Sequence, residues 1–277
     1  MKIGVRVHDF GKSNPEQLAK EAKKVGFDCV QLVLNKAIEN ETGLPGTLSK
    51  EKANSIYEAF AKENIEIAML GAYFNPVHSN KELVKTNIAK FEEHLKYMND
   101  FRASFVGSET GSFNDDKWTY NPLNRTEDAF IEVKKIFSKL ADTALKYNAK
   151  IALEGAYGHC MYNPQALRRL VESVQNGTVY YTVDIYNYLS INNYKDQERI
   201  FDECLELFKD RIVIFHLKDF IVEDNSLKQC CIGKGLMNYD YILPKIKQQC
   251  PNAYLIFEGS KPSDMQFSFD FIKSHLK

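Results

Sequence analysis

The sequence predicts an α/β chain folded as one (β/α)8 barrel, a TIM barrel, spanning residues 1–277, and three observations carry that expectation. Eight short β-rich runs, at residues 3–8, 29–34, 65–73, 104–107, 151–155, 179–184, 212–218 and 254–258, alternate with longer amphipathic segments. Several runs are continuous apolar stretches, such as Ile212-Val213-Ile214-Phe215, which suit parallel strands covered on both faces. Eight such units in 277 residues give about 35 residues each, close to the usual barrel. The competing doubly wound sheet lacks support: no G-x-G-x-x-G follows the first strand, and no phosphate-binding P-loop occurs. No Pro/Gly/Ser-rich linker divides the chain.

Each unit has its own start signals. Strand one alternates, so Arg6 and His8 share a face. Ser13-Asn14-Pro15-Glu16 opens the first helix, Leu18, Ala22 and Val25 form its inward stripe, and Gly26 ends it as a left-handed cap. Ser49 precedes the second helix and Asn80 the third. Thr126-Glu127-Asp128 precedes a long fourth helix carrying Phe130, Val133, Phe137, Leu140 and Leu145. Asn163-Pro164-Gln165, the segment from Asn193 to Lys195, Asn238-Tyr239-Asp240 and Ser263-Asp264 supply caps for the remaining four.

Composition narrows the setting. The hydrophobic fraction of 44% and charged fraction of 26% suit an ordinary globular chain with a large core. The 36 basic residues balance 37 acidic ones, for a net charge of −1, so a nucleic-acid partner is not expected. No signal-peptide core precedes the first strand, and no apolar run reaches the roughly 20 residues of a membrane span. Six scattered cysteines without CxxC spacing read as reduced thiols in a cytoplasmic protein. No heptad marks an interface; a homodimer or homotetramer is the expectation for such a barrel.

In a parallel barrel, chemistry gathers where the strands end. Strand five ends in Glu154, strand six in Asp184, strand seven carries His216, and strand eight ends in Glu258, at separations of 30, 32 and 42 residues. Taken singly, such residues are more often helix caps, loop salt bridges or hydrogen-bonded core groups. Four in consecutive units point to one shared site, because buried charges need pairing or coordination and three converging carboxylates repel. An oxygen-rich set with one imidazole suits a single Mn²⁺, Mg²⁺ or Co²⁺ ion best, with Zn²⁺ less favoured.

Further candidates surround these four. His8 can hydrogen-bond a substrate hydroxyl or serve the barrel interior. Glu109, in the loop after strand four, can line the pocket or lie exposed. Lys218, two residues after His216 and so on the same face, can bind a substrate oxygen or pair with a carboxylate. Tyr157 and His159 can cover the site, and Tyr73 can wall it. The turn Gly233-Lys234-Gly235 offers backbone amides to a phosphate, although no arginine in residues 219–260 completes a clamp.

The fragments Leu153-Glu154-Gly155, Val183-Asp184, His216-Leu217-Lys218-Asp219, Gly233-Lys234-Gly235 with Tyr239-Asp240-Tyr241-Ile242, and Phe257-Glu258-Gly259 occur in one order. In that order the chain resembles the xylose-isomerase-like TIM-barrel superfamily, in its branch of ketose 3-epimerases and hydroxypyruvate isomerases and, more distantly, endonuclease IV. The resemblance implies that Glu154, Asp184, His216 and Glu258 are ligands of a divalent ion that binds a substrate carbonyl and its neighbouring hydroxyl. It implies that Glu154 and Glu258 transfer protons through an enediolate, on a small sugar or polyol-derived ketone, free or phosphorylated. Many relatives have histidine three residues after the strand-six aspartate, where this chain has Asn187, which can hold a substrate hydroxyl but is a poor zinc ligand. Strands two and four supply no histidine either, which argues against a three-zinc DNA-repair phosphodiesterase. Two further activities stay compatible with these residues: a dehydratase on the same metal site, and a sugar-binding barrel without catalysis.

Overall fold

The computed structural model describes residues 1–277. Strand β1 (Lys2–Arg6) leads to α1 (Pro15–Val25), and β2 (Cys29–Leu32) to the single turn α2 (Leu34–Ala37) and then α3 (Lys50–Lys62). Strand β3 (Glu66–Gly71) is followed by α4 (Lys81–Tyr97), β4 (Phe105–Glu109) by α5 (Glu127–Lys146), and β5 (Ile151–Glu154) by α6 (Pro164–Ser173). Strand β6 (Val179–Asp184) runs into the single turn α7 (Ile185–Tyr188) and on to α8 (Gln197–Phe208). After β7 (Ile212–Leu217) come β8 (Asp219–Glu223), β9 (Ser226–Cys230) and α9 (Tyr239–Gln249); β10 (Tyr254–Phe257) and α10 (Met265–His275) finish the chain.

Eight strands close into a barrel in the order β1-β10-β7-β6-β5-β4-β3-β2, all parallel, which is the (β/α)8 architecture expected from the sequence. The helix starts follow their caps. Asn14, Ser49, Asn80, Thr126, Asn163 and Asn238 each accept a hydrogen bond from a backbone N–H in the first turn, and Gly26 closes α1 at φ 109°. Two starts differ from expectation. Helices α8 and α10 begin at Gln197 and Met265, each after a short 3₁₀ turn and without a side-chain cap. Asn193 is not free to cap, because its carboxamide accepts from Ser190 N at 2.6 Å and donates to Tyr188 O at 3.1 Å.

Strand boundaries also move in ways that matter for the site. Strand β1 stops at Arg6, and His8 sits in a 3₁₀ turn, Val7–Phe10. Glu109 is the last residue of β4 rather than a loop acid, and β7 stops one residue before Lys218. No helix is long and apolar enough to cross a membrane, and all six cysteines are free thiols.

The antiparallel hairpin β8–β9 is an addition to the eight expected units. Asp224 and Asn225 both have positive φ, 50° and 55°, as a two-residue type I′ connection requires. Its base is fixed by Asp219, a buried carboxylate that accepts from the backbone N–H of Phe220, Gly233, Gly235 and Met237 at 2.8–3.0 Å. The Gly233-Lys234-Gly235 turn is therefore not a phosphate cradle: its glycine amides already serve an internal anion. A Cβ at Gly235 would lie 2.1 Å from Asp219 Oδ1 and 2.5 Å from Phe220 O. Gly235→Ala is accordingly expected to destabilise the protein by about 2 kcal/mol, read as a fall of roughly 5 °C in thermal unfolding.

Inside the barrel, Cys29, Met69, Phe105, Ala152, Ile214 and Ile256 pack as an apolar plug, separate from the larger core between strands and helices. Side chains two residues apart on a strand share a face. Gln31, Glu154, His216 and Glu258 thus follow Cys29, Ala152, Ile214 and Ile256 on the inward face, one layer nearer the C-terminal rim.

Candidate metal centre

Glu154, Asp184, His216 and Glu258 each bring a ligand atom to one place, the four atoms lying within 4.8 Å of one another. They come from β5, β6, β7 and the residue after β10, neighbours in the barrel, and the register sets Asp184 beside His216. His216 Nδ1 stands 3.0 Å from Glu154 Oε2 and 2.9 Å from Glu258 Oε2. The side chains of Asp184 and His216 have no exposed surface.

Each glutamate offers one oxygen to His216 and ties down the other differently. Glu154 Oε1 accepts from Asn187 Nδ2 at 2.5 Å, whereas Glu258 Oε1 lies 3.0 Å from both Arg6 Nη1 and Lys218 Nζ. Lys218 Nζ also lies 2.8 Å from Asp184 Oδ2 and donates to Asn187 Oδ1 at 3.1 Å.

The electrostatics are those of crowded buried anions. Burial, reinforced by Glu154 and Glu258, pushes Asp184 up to about 6 against the opposing pull of Lys218. Burial and the same two glutamates raise Glu109 well above the usual carboxylate range. Burial would raise Glu258 too, but Lys218, His216 and Arg6 outweigh it and hold that carboxyl well below its usual value. For His216 burial disfavours the imidazolium, yet Glu154 and Glu258 lift it to about 10. Two buried atoms of the set, His216 Nδ1 and Asp184 Oδ2, make close contacts without an aligned hydrogen bond. Three carboxylates converging on one imidazole, with ligand atoms within 4.8 Å of one another, are a donor set that fits a divalent cation.

Gln31 is a buried contact of His216 that the sequence alone does not single out. Fully buried on β2, it donates from Nε2 to Tyr73 Oη at 2.8 Å, which turns its Oε1 toward His216 Nε2 at 2.7 Å. That contact suits an Nε2–H donor and turns Nδ1 toward the carboxylates, so Nδ1 is the nitrogen that would give up its proton to an arriving cation. Its one signal is a lone amide in the apolar run Cys29-Val30-Gln31-Leu32. Gln31→Leu is expected to weaken divalent-metal affinity about 10- to 100-fold, measurable by Mn²⁺ titration, with the fold retained.

The remaining expected residues gather around this centre. Arg6, His8, Tyr73, Glu109 and Glu258 line a cavity of about 300 Å³. His8 is driven down to about 3, first by burial and then by Arg6 and Lys36, so its imidazole is neutral. A second cavity of about 560 Å³ is lined by Tyr157, His159, Tyr186 and Asn187 and shares Glu109 and Trp118 with the first. Tyr73 is more than an apolar wall, given its bond to Gln31. His159 is buried edge-on to Trp118, ring centroids 5.5 Å apart.

Residues 19–275 match the family model described as xylose isomerase-like TIM barrel. Among solved structures, a D-tagatose 3-epimerase-like protein is 19% identical with TM-score 0.77, covering 100% of this chain and 97% of the other. A xylose isomerase-like TIM barrel protein from Mycobacterium smegmatis in complex with magnesium is 14% identical, TM-score 0.74, covering 100% and 98%. The probable 3-DHS dehydratase involved in petrobactin synthesis from Bacillus anthracis is 13% identical, TM-score 0.75, covering 99% of each chain. Among curated proteins, no sequence matches the chain at a significant level. At identities this low, the structural likeness establishes a shared fold and no more.

Proposed function

The chain belongs to the xylose isomerase-like TIM barrel family, and on that premise we propose that it is a divalent-metal-dependent isomerase or epimerase of a small sugar or sugar-like ketone. Glu154, Asp184, His216 and Glu258 would hold the ion, with Mn²⁺, Mg²⁺ or Co²⁺ favoured by the oxygen-rich set and a magnesium-bound structural relative in support. When bound, the cation supplies the positive charge that stabilises the oxygen anion formed as a proton leaves the neighbouring carbon.

The observation that carries the reading is the unequal support of two convergent glutamates. Glu154 meets only a neutral amide at its free oxygen, and so is the carboxylate left to take the proton. Glu258, flanked by Arg6 and Lys218, is kept ionised and anchored. Returning the proton to the adjacent carbon is isomerisation; delivering one to the opposite face of the same carbon is epimerisation. Asn187 and His8, both facing the cavities, can orient substrate hydroxyls. Six free thiols support a reducing, cytoplasmic setting.

One feature favours a second reading, a dehydratase. The Lys218 ammonium, beside Glu258, can hydrogen-bond a departing hydroxyl while that hydroxyl takes the proton Glu154 has abstracted and leaves as water. Product analysis separates the two. The primary test is metal content together with deuterium uptake from solvent into a panel of ketoses and hydroxy-ketones. Uptake that requires the ion supports the proposal. A purified protein that neither holds nor is stabilised by any divalent ion removes it.

A further inference from the structure

The cavity beside Glu258 contains two cations that no group in the protein answers. Elsewhere at the rim the basic residues are matched: Arg6 pairs with Asp9 and Glu258, and Lys218 with Asp184 and Glu258. Lys36 on α2 and Lys90 on α4 both line the cavity, and neither makes a salt bridge or a side-chain hydrogen bond. Lys90 is half-buried, and its ammonium is disfavoured first by that burial and then by Lys36. Asn35, adjacent to Lys36, adds an uncharged donor on the same wall, and the buried Nδ1 of neutral His8 has no partner.

Two like charges turned toward one space repel each other, and a partly desolvated ammonium is costly unless an anion arrives to share it. Of the carboxylates lining the cavity, Glu258 is paired with Arg6 and Lys218 at 3.0 Å each, and neither Glu109 nor Asp116 forms a salt bridge with Lys36 or Lys90. The exposed Asp116 lies 3.4 Å from His78 Nε2. Half-buried Lys90 and exposed Lys36 thus border the cavity without an ion-pair partner from the protein.

We propose that Lys36, Lys90 and Asn35 form an anion subsite, so that the substrate carries a phosphate ester or carboxylate at the end remote from its reacting carbons. A cavity of about 300 Å³ opening from Glu258 has room for a sugar of a few carbons with such a terminus. Naming the substrate class in this way rests on the isomerase reading above; the existence of the subsite does not.

The test is calorimetric binding of inorganic phosphate and of D-gluconate to the purified protein and to Lys36→Met and Lys90→Met, which keep most of the stem and remove the charge. Lys85→Met, on the same helix as Lys90 but exposed and paired with Glu82, controls for net charge. Each cavity variant is expected to weaken anion binding about tenfold, as loss of one charge-assisted contact predicts, with Lys85→Met unchanged. Lys36 is exposed, so its variant keeps the test informative should Lys90→Met fold poorly. Deuterium exchange into D-fructose 6-phosphate, 5-keto-D-gluconate and D-fructose then tells phosphate from carboxylate by which gains most over the neutral ketose. If Lys36→Met and Lys90→Met bind anions no worse than Lys85→Met, the subsite is overturned while metal-dependent exchange can stand. Lysine-dependent anion binding in a protein without metal-dependent exchange upholds the subsite and removes the isomerase reading, so the two fail separately.

Discussion

Replacing Glu154 with glutamine is expected to reduce metal-dependent solvent-deuterium exchange by about a thousandfold, the largest loss foreseen for a single residue. General-base groups contribute about 10²–10⁴ in rate, and glutamine keeps the shape while removing the proton acceptor. The amide also keeps an oxygen able to accept from Asn187 Nδ2, so the local bond at 2.5 Å has an isosteric replacement. Metal affinity should fall less than exchange, because Asp184, His216 and Glu258 remain. Glu258→Gln is expected to behave differently. It removes one ligand carboxylate and one of the two acidic partners of both Arg6 and Lys218, so metal affinity and activity fall together. The check is single-turnover exchange at saturating Mn²⁺, with the Kd for Mn²⁺ measured alongside. Exchange by Glu154→Gln within tenfold of the parent protein would show that another group takes the proton.

Much of this site is legible in the sequence because parallel barrels place chemistry at strand ends, and strand ends can be read. Apolar runs terminating in Glu154, Asp184 and Glu258, and His216 within such a run, show both the elements and the residues. Helix starts are legible for the same local reason: Asn14-Pro15 or Asn163-Pro164 specifies a cap within three residues. What escapes reading is whatever depends on two distant elements meeting. Gln31 matters only because β2 places it across the barrel from His216, 185 residues away. Lys36 and Lys90 share a cavity only because the fold brings α4 to the same space as the one-turn helix α2, which is too short for any periodicity. The β8–β9 hairpin escapes because it is mostly exposed and carries no buried stripe, its base being set by Asp219 and four amides.

Lys218→Met is expected to move stability and metal binding in opposite directions. The ammonium lies 2.8 Å from Asp184 Oδ2 and 3.0 Å from Glu258 Oε1, with only 7% of its side chain exposed. Burial works against that charge, and Asp184, Glu258 and Glu154 overcome it, so the lysine stays protonated. In the metal-free protein it is an internal counter-ion for the three carboxylates. Breaking a buried pair by removing one partner costs about 3–5 kcal/mol, because the other is left charged and unpaired. The metal-free variant should therefore melt roughly 10 °C lower. A divalent ion at the same carboxylates supplies the missing charge, and it no longer meets a resident cation beside Asp184. Saturating Mn²⁺ should then recover most of the lost stability, and the Kd for Mn²⁺ should tighten about tenfold. Thermal melts with and without Mn²⁺, together with a metal titration, decide it. A variant equally destabilised in both conditions would mean that Lys218 and the cation do not share these carboxylates, and that the cluster is held together by its own ion pairs.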